Sequence, residues 1–166
     1  MSATLNNREL RTWEKLQTVT EQLRRETGRV LSTEAGLSPP EFTVLAHLAA
    51  AGGAEGVRSS LCARAIGWDT SRLSHQLRRL EQRGYVVRSG GDGGDGRASV
   101  VALTAEGRRI HRRALGPHLS AAKHWFAAAL TEKQLDGLYD ALDTLERHIA
   151  REVASPDGVH EKRRGK

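Results

Sequence analysis

One cysteine, Cys62, stands in a chain of 166 residues, so no intrachain disulfide can staple the fold. That fits a reducing compartment. Aromatic residues make up only 4% of the chain. No run of about 18 apolar residues occurs, so no membrane span is expected. The opening residues, MSATLNNREL, lack an apolar stretch after a basic one and do not read as a secretory leader. A cytoplasmic protein is expected. The signatures of enzymes are missing as well: there is no Gly-rich phosphate loop after a strand, no nucleophile elbow and no paired carboxylates set for acid–base work. The seven histidines contain no His-x3-His pair, and the closest group, His111, His118 and His124, has no cysteine cluster beside it. Neither a metal nor another cofactor is expected.

What is present is arginine. Lys and Arg number 26 against 20 Asp and Glu, a surplus of +6 that favours an anionic partner, nucleic acid or a membrane surface. The surplus is concentrated between Arg58 and Arg97, where eight Arg face only Asp69, Glu81, Asp92 and Asp95. Arg suits bidentate contacts to phosphate and guanine better than Lys does.

The same stretch has the densest structural punctuation. Ser59 can cap a short helix with Leu61, Cys62, Ala65 and Ile66 inward; Gly67 gives a sharp turn; Trp68 fills the angle; Asp69 caps the next helix. That helix spans Thr70 to about Arg83, with Leu73, Leu77 and Leu80 on one face and Ser71, Ser74, His75, Arg78, Arg79 and Gln82 opposite, Arg72 at the edge. Small hydroxyls first and long cations later suit a helix entering a major groove. An ordinary solvated face would look similar, but it would not be preceded by a capped turn and followed by a hairpin. That hairpin reads as Tyr85–Arg88 and Ala98–Leu103 around a tip of Gly and Asp. Arg97, at the return of the tip, could enter a minor groove, with Asp95 holding it or another cation in place.

The flanks read as amphipathic helices. One runs from Asn7 to about Leu31 with Leu10, Trp13, Leu16, Val19, Leu23 and Val30 on a stripe, ended by Gly36. Ser38 and Glu41 form a capping box for the next helix, which buries Phe42, Leu45 and Leu48. After Thr104, another cap, a helix runs on until Gly116-Pro117 bends or breaks it, and its stripe continues through Phe126 to Leu130. Thr131 and Gln134 box a last helix with Leu135, Leu138, Leu142, Leu145 and Ile149 in register. Neither terminal stripe can cover itself, so the ends are expected to pack together and against a second copy. A twofold pair would carry two reading helices about one DNA turn apart. The expected fold class is mainly α (α+β). Residues 37–107 form a winged helix-turn-helix head, 1–36 and 108–154 a helical dimerisation region, and 155–166 a disordered basic tail.

Asp95-Gly96-Arg97 followed by Val101-Ala102-Leu103-Thr104-Ala105-Glu106-Gly107 resembles the wing signature of the MarR-type transcriptional regulators. The helix from Ser71 to Glu81, with Arg83-Gly84-Tyr85-Val86 after it, is similar to that family's recognition helix and its exit. The resemblance runs from the first helix to Ile149. It implies a homodimer with interlocked terminal helices that binds palindromic operators on double-stranded DNA, usually as a repressor. In many members it also implies release by a small aromatic or anionic ligand, bound between dimer helices and head, or by thiol oxidation. Two positions depart from the pattern. His75 stands where many relatives have Arg, and Thr43 takes the place of the acidic residue that urate-responsive members pair with a Trp on the first helix.

For an effector, Trp13 could stack on a planar ligand with Arg58 as counter-ion, although a Trp at helical spacing is more often core. Cys62 reads as a small buried hydrophobe; a thiol-responsive regulator acting through it is the alternative. A winged-helix module that binds protein is the other.

Overall fold

A computed structural model describes residues 4–52, 55–90 and 99–154. Six α-helices and three short strands follow in the order α1 (Asn7–Ala35), α2 (Pro39–Ala51), β1 (Val57–Arg58), α3 (Ser59–Ala65), α4 (Thr70–Gln82), β2 (Val86–Ser89), β3 (Val100–Leu103), α5 (Ala105–Trp125) and α6 (Glu132–Ala154). The described residues up to Trp125 form one compact unit, and the described residues from Phe126 onward form a second.

In the first unit the helix ends sit where short-range chemistry puts them. Asn6 and Glu9 cap α1 reciprocally. Ser38 and Glu41 do the same for α2, whose first turn starts with Pro39 and Pro40. The helices enclose a core built from Leu31, Leu37, Val44, Leu45, Leu73, Leu77, Leu80, Val86, Val101 and Ile110, all essentially inaccessible to solvent. The three strands form one antiparallel sheet in the order β1-β3-β2, with Val86 opposite Leu103 and Ser89 opposite Val100. Thus α3, the turn and α4 make a helix-turn-helix, and β2 with β3 makes its wing.

Several expectations need correcting. The first helix runs four residues beyond Leu31, to Ala35. Ser59 is the first residue of α3 rather than its cap, and its hydroxyl donates across to the Ser99 carbonyl at 3.1 Å. Leu61 and Ala65 face solvent, while Cys62 and Ala63 are the buried pair of α3; the helix is two turns long, too short for periodicity to fix its inner side. Pro117 does not break α5, which continues to Trp125. Packing of α5 along α1, with Ala114 and Ala121 buried, outweighs one missing N–H. The helix stops instead at Phe126, where the backbone leaves helical geometry before a single 3-10 turn, Ala127–Ala129.

Gly107 occupies the first turn of α5 because the Tyr85 carbonyl lies against it; an ideal Cβ there would overlap that oxygen. The wing is thereby locked onto α5: Thr104 Oγ1 donates to the Gly84 carbonyl at 2.7 Å and accepts the Gly107 N–H at 2.9 Å.

The second unit carries its own cap. Thr131 N–H donates to Gln134 Oε1 at 3.0 Å, and Gln134 N–H donates to Thr131 Oγ1 at 3.3 Å. From there α6 presents Leu142, Leu145, Ile149 and Val153 as exposed apolar side chains.

Candidate nucleic-acid interface

The helix-turn-helix is set by Gly67 and Asp69. Gly67 adopts φ 68°, a left-handed conformation that glycine tolerates without penalty. Asp69 Oδ1 accepts the Arg72 N–H at 2.8 Å and the Ser71 hydroxyl at 2.6 Å. These bonds, the Ser71 one foremost, hold the Asp69 carboxyl below its ordinary range, so it stays an anion at the positive end of α4.

Leu73, Leu77 and Leu80 anchor α4 in the core. Its other face is open: Ser71, Arg72, His75, Arg78, Arg79 and Gln82 are exposed and Ser74 is half-buried. Every α4 residue read as a DNA contact therefore lies on or beside one outward surface. Three arginines stand together on that face without a carboxylate partner among the described residues, a condition they share with single exposed cations such as Arg8, Arg11 and Arg64. Arg24, Arg29, Arg109 and Arg147 each meet a carboxylate one helical turn away, whereas Arg72, Arg78 and Arg79 form no ion pair with any described residue. Exposed guanidiniums without an internal partner keep their donors for an outside anion. Arg97 and Asp95 lie outside the described residues.

Behind this face an ion pair that sequence reasoning did not foresee fixes the exit of α4. Arg83 Nη1 donates to Glu41 Oε1 at 3.0 Å; its Nη2 donates to the Gly36 carbonyl at 2.9 Å and to the Tyr85 hydroxyl at 3.2 Å. Glu41 is buried. Burial alone pushes its carboxyl up, but hydrogen bonds from the Ser38 backbone and hydroxyl, together with Arg83, outweigh that and leave it below the usual glutamate range. A capping-box glutamate on α2 is legible in sequence; its cation, from the far end of α4, is not.

The effector candidates are less concentrated. Trp13 is half-exposed on α1 and Arg58 is exposed ahead of α3. Two open clefts flank Trp125 within the first unit. One, of about 370 Å³, is lined by Val19, Gln22, Leu23, Arg25 and Glu26; the other, of about 410 Å³, by Val30, Glu34, Pro117, Ser120, Ala121 and His124. Neither Trp13 nor Arg58 lines them. Cys62 is fully buried and its thiol is pushed up by burial, the opposite of what a reactive thiolate needs. His111 and His118 lie against Phe42, with ring centroids at 5.8 and 4.4 Å, and burial lowers both imidazoles' pKa. No group of three metal-ligating side chains occurs among the described residues, and no helix among them is long and apolar enough to cross a membrane.

A sequence model of the MarR family matches residues 35–98, the span from the end of α1 into the wing. A helix-turn-helix-type transcriptional regulator of Bacillus cereus is 30% identical over 76 residues, which is 46% of this chain and 49% of that protein. The chain thus spans about half the length of the curated relatives it matches. Among solved structures, Sco3205 of Streptomyces coelicolor, a MarR family transcriptional regulator in complex with DNA, is similar with a TM-score of 0.79 at 26% identity, over 88% of this chain and 94% of that one. CouR of Rhodococcus jostii, bound to p-coumaroyl-CoA, is similar with a TM-score of 0.65 at 26% identity, over 78% and 87%.

Proposed function

Because this chain belongs to the MarR family of transcriptional regulators, we propose that it binds double-stranded DNA sequence-specifically and controls transcription, as a repressor. The observation that carries the proposal is the outer face of α4, where Arg72, Arg78 and Arg79 are exposed without a carboxylate partner among the described residues. In this reading α4 lies in the major groove. Ser71, Arg72, Ser74 and His75 near its N-terminal end approach base edges, and Arg78 and Arg79 reach further bases or phosphates. Arg97 enters the adjacent minor groove from the wing, supported by Asp95.

The protein acts as a homodimer on a palindromic operator, through its segments 1–36 and 108–154. Support comes from the apolar stripes those segments leave uncovered: Leu10, Trp13, Leu16 and Val19 on α1, and Leu142, Leu145 and Ile149 on α6. A small aromatic or anionic effector releases it from DNA in the cytoplasm. The ligand in the CouR structure supports that class, and Trp13 with Arg58 are the residues proposed to meet it. The burial of Cys62 speaks against a thiol trigger at that position.

The proposal is tested by titrating labelled genomic duplexes at several salt concentrations. Each phosphate contact should add about 0.9 to the slope of log affinity against log salt. Binding to neither specific nor random duplex would favour a protein-interaction module instead.

A further inference from the structure

We propose that Trp68 is a positioning residue for Arg72: the indole holds the guanidinium flat beside the reading helix as a preset two-pronged donor for DNA. This rests on the DNA-binding reading above and specifies how one contact of that face is made.

Trp68 sits in the turn between α3 and α4. Its backbone N–H donates to the Ala63 carbonyl at 2.9 Å, and its half-buried side chain packs against the core. The residue is therefore held through its backbone and through the core-facing part of its side chain. Arg72 lies four residues on, in the first turn of α4, with its own N–H capped by Asp69. Its guanidinium carbon stands 4.2 Å from the Trp68 ring centroid. Stacking engages the face of a guanidinium and leaves its in-plane N–H groups unused. Among the described residues, no hydrogen bond or ion pair engages those groups in Arg72; the nearby Asp69 makes its bonds through Oδ1 to the Ser71 hydroxyl and the Arg72 backbone N–H.

Arg83 makes the comparison within the same molecule. Its guanidinium carbon too lies over an aromatic ring, Tyr85, at 4.8 Å, but its nitrogens are committed to Glu41, Gly36 and Tyr85. There the cation–ring contact serves as a structural tie. At Arg72 it leaves the fork exposed and unspent, at the N-terminal end of the helix where a groove-entering helix meets bases. A side chain already restrained loses less freedom when DNA arrives. The acceptor is a pair of neighbouring atoms, either phosphate oxygens or the O6/N7 edge of a guanine.

The test uses the full chain and a duplex selected from genomic DNA by the wild-type protein. Trp68→Leu keeps apolar bulk and removes the π face; Trp68→Phe keeps a weaker face. The Leu variant should weaken binding about threefold to thirtyfold, the range an aromatic–cation contact supplies, and the Phe variant less. In an Arg72→Ala background, Trp68→Leu should cause no further loss. In the free wild-type protein the Arg72 Hε resonance should be shifted upfield by the indole ring current, and Trp68→Leu should abolish that shift. If Arg72→Ala lowers the salt slope by about 0.9, the acceptor is phosphate; if it instead erases a preference at one base pair, the acceptor is guanine. Losses that multiply in the double variant, or an unshifted Hε, would overturn the proposal. Absence of all wild-type DNA binding would overturn the reading beneath it as well, and a persisting ring-current shift would then mark the stack as structural only.

Discussion

Arg83 and Glu41, 42 residues apart in sequence, meet at 3.0 Å, and through them the end of the reading helix is tied to the start of α2. The glutamate is 2% exposed and the arginine 36%, so the anion depends on its partner more than the cation does. Arg83→Met should therefore cost about 3 kcal/mol, the lower end of the range for breaking a buried pair, because part of the site reaches water. Urea denaturation at fixed protein concentration measures it, and a change below about 1 kcal/mol would show that the pair is dispensable.

The pH dependence of that deficit has a definite sign. Glu41 is depressed in the folded protein, so its contribution is complete above the ordinary glutamate value of about 4.3 and is lost as pH falls through the folded value. Removing Arg83 removes part of the depression. The gap between wild type and Arg83→Met should stay level above about pH 4.3 and narrow on further acidification towards about pH 3, and a gap that stays constant across that lower window would refute the linkage.

His111 and His118 add a second acid-sensitive element. Burial lowers both from 6.5, so the unfolded chain takes up protons that the native chain refuses. Their contribution is present above the unfolded value and lost as pH falls below it. Stability should decline from pH 7 towards pH 5, and His118→Gln should flatten that decline. Thermal melts at the two pH values decide it; equal slopes in both proteins would remove His118 from the account.

Much of this fold is written in local signals. Ser38 with Glu41, Asp69, Thr131 with Gln134, and Gly36 act within a few residues of the ends they set, so sequence alone places them. The outer face of α4 was legible for the same reason: three leucines at helical spacing fix its orientation. What could not be read depends on partners distant in the chain. Nothing near Pro117 announces that α5, packed along α1, will continue through it. Nothing near Phe42 announces two histidines from α5 against its ring, and nothing near Glu41 points to Arg83.

Gly107 offers a test of that non-local packing. By helix propensity alone, Gly107→Ala would gain roughly 1 kcal/mol. Since the added methyl meets the Tyr85 carbonyl, the expected outcome is a loss of about 2–4 kcal/mol. A variant as stable as wild type by denaturant unfolding would show that the wing can move away from α5 freely.

On DNA, Arg78→Ala should weaken binding to a selected site more than binding to random duplex, by about 1–3 kcal/mol for a base contact. Equal losses on both would make it a phosphate contact. Arg97→Ala should weaken binding and shorten protection in the minor groove flanking each half-site; an unchanged footprint and affinity would remove the wing from the interface.

The most direct measurement is footprinting of the purified full-length protein across genomic DNA of its source. The account predicts protection of short palindromic sites, with half-site centres about 10 base pairs or a multiple apart and affinity falling steeply with salt. Failure to protect or retard any fragment, even at low ionic strength, would contradict it.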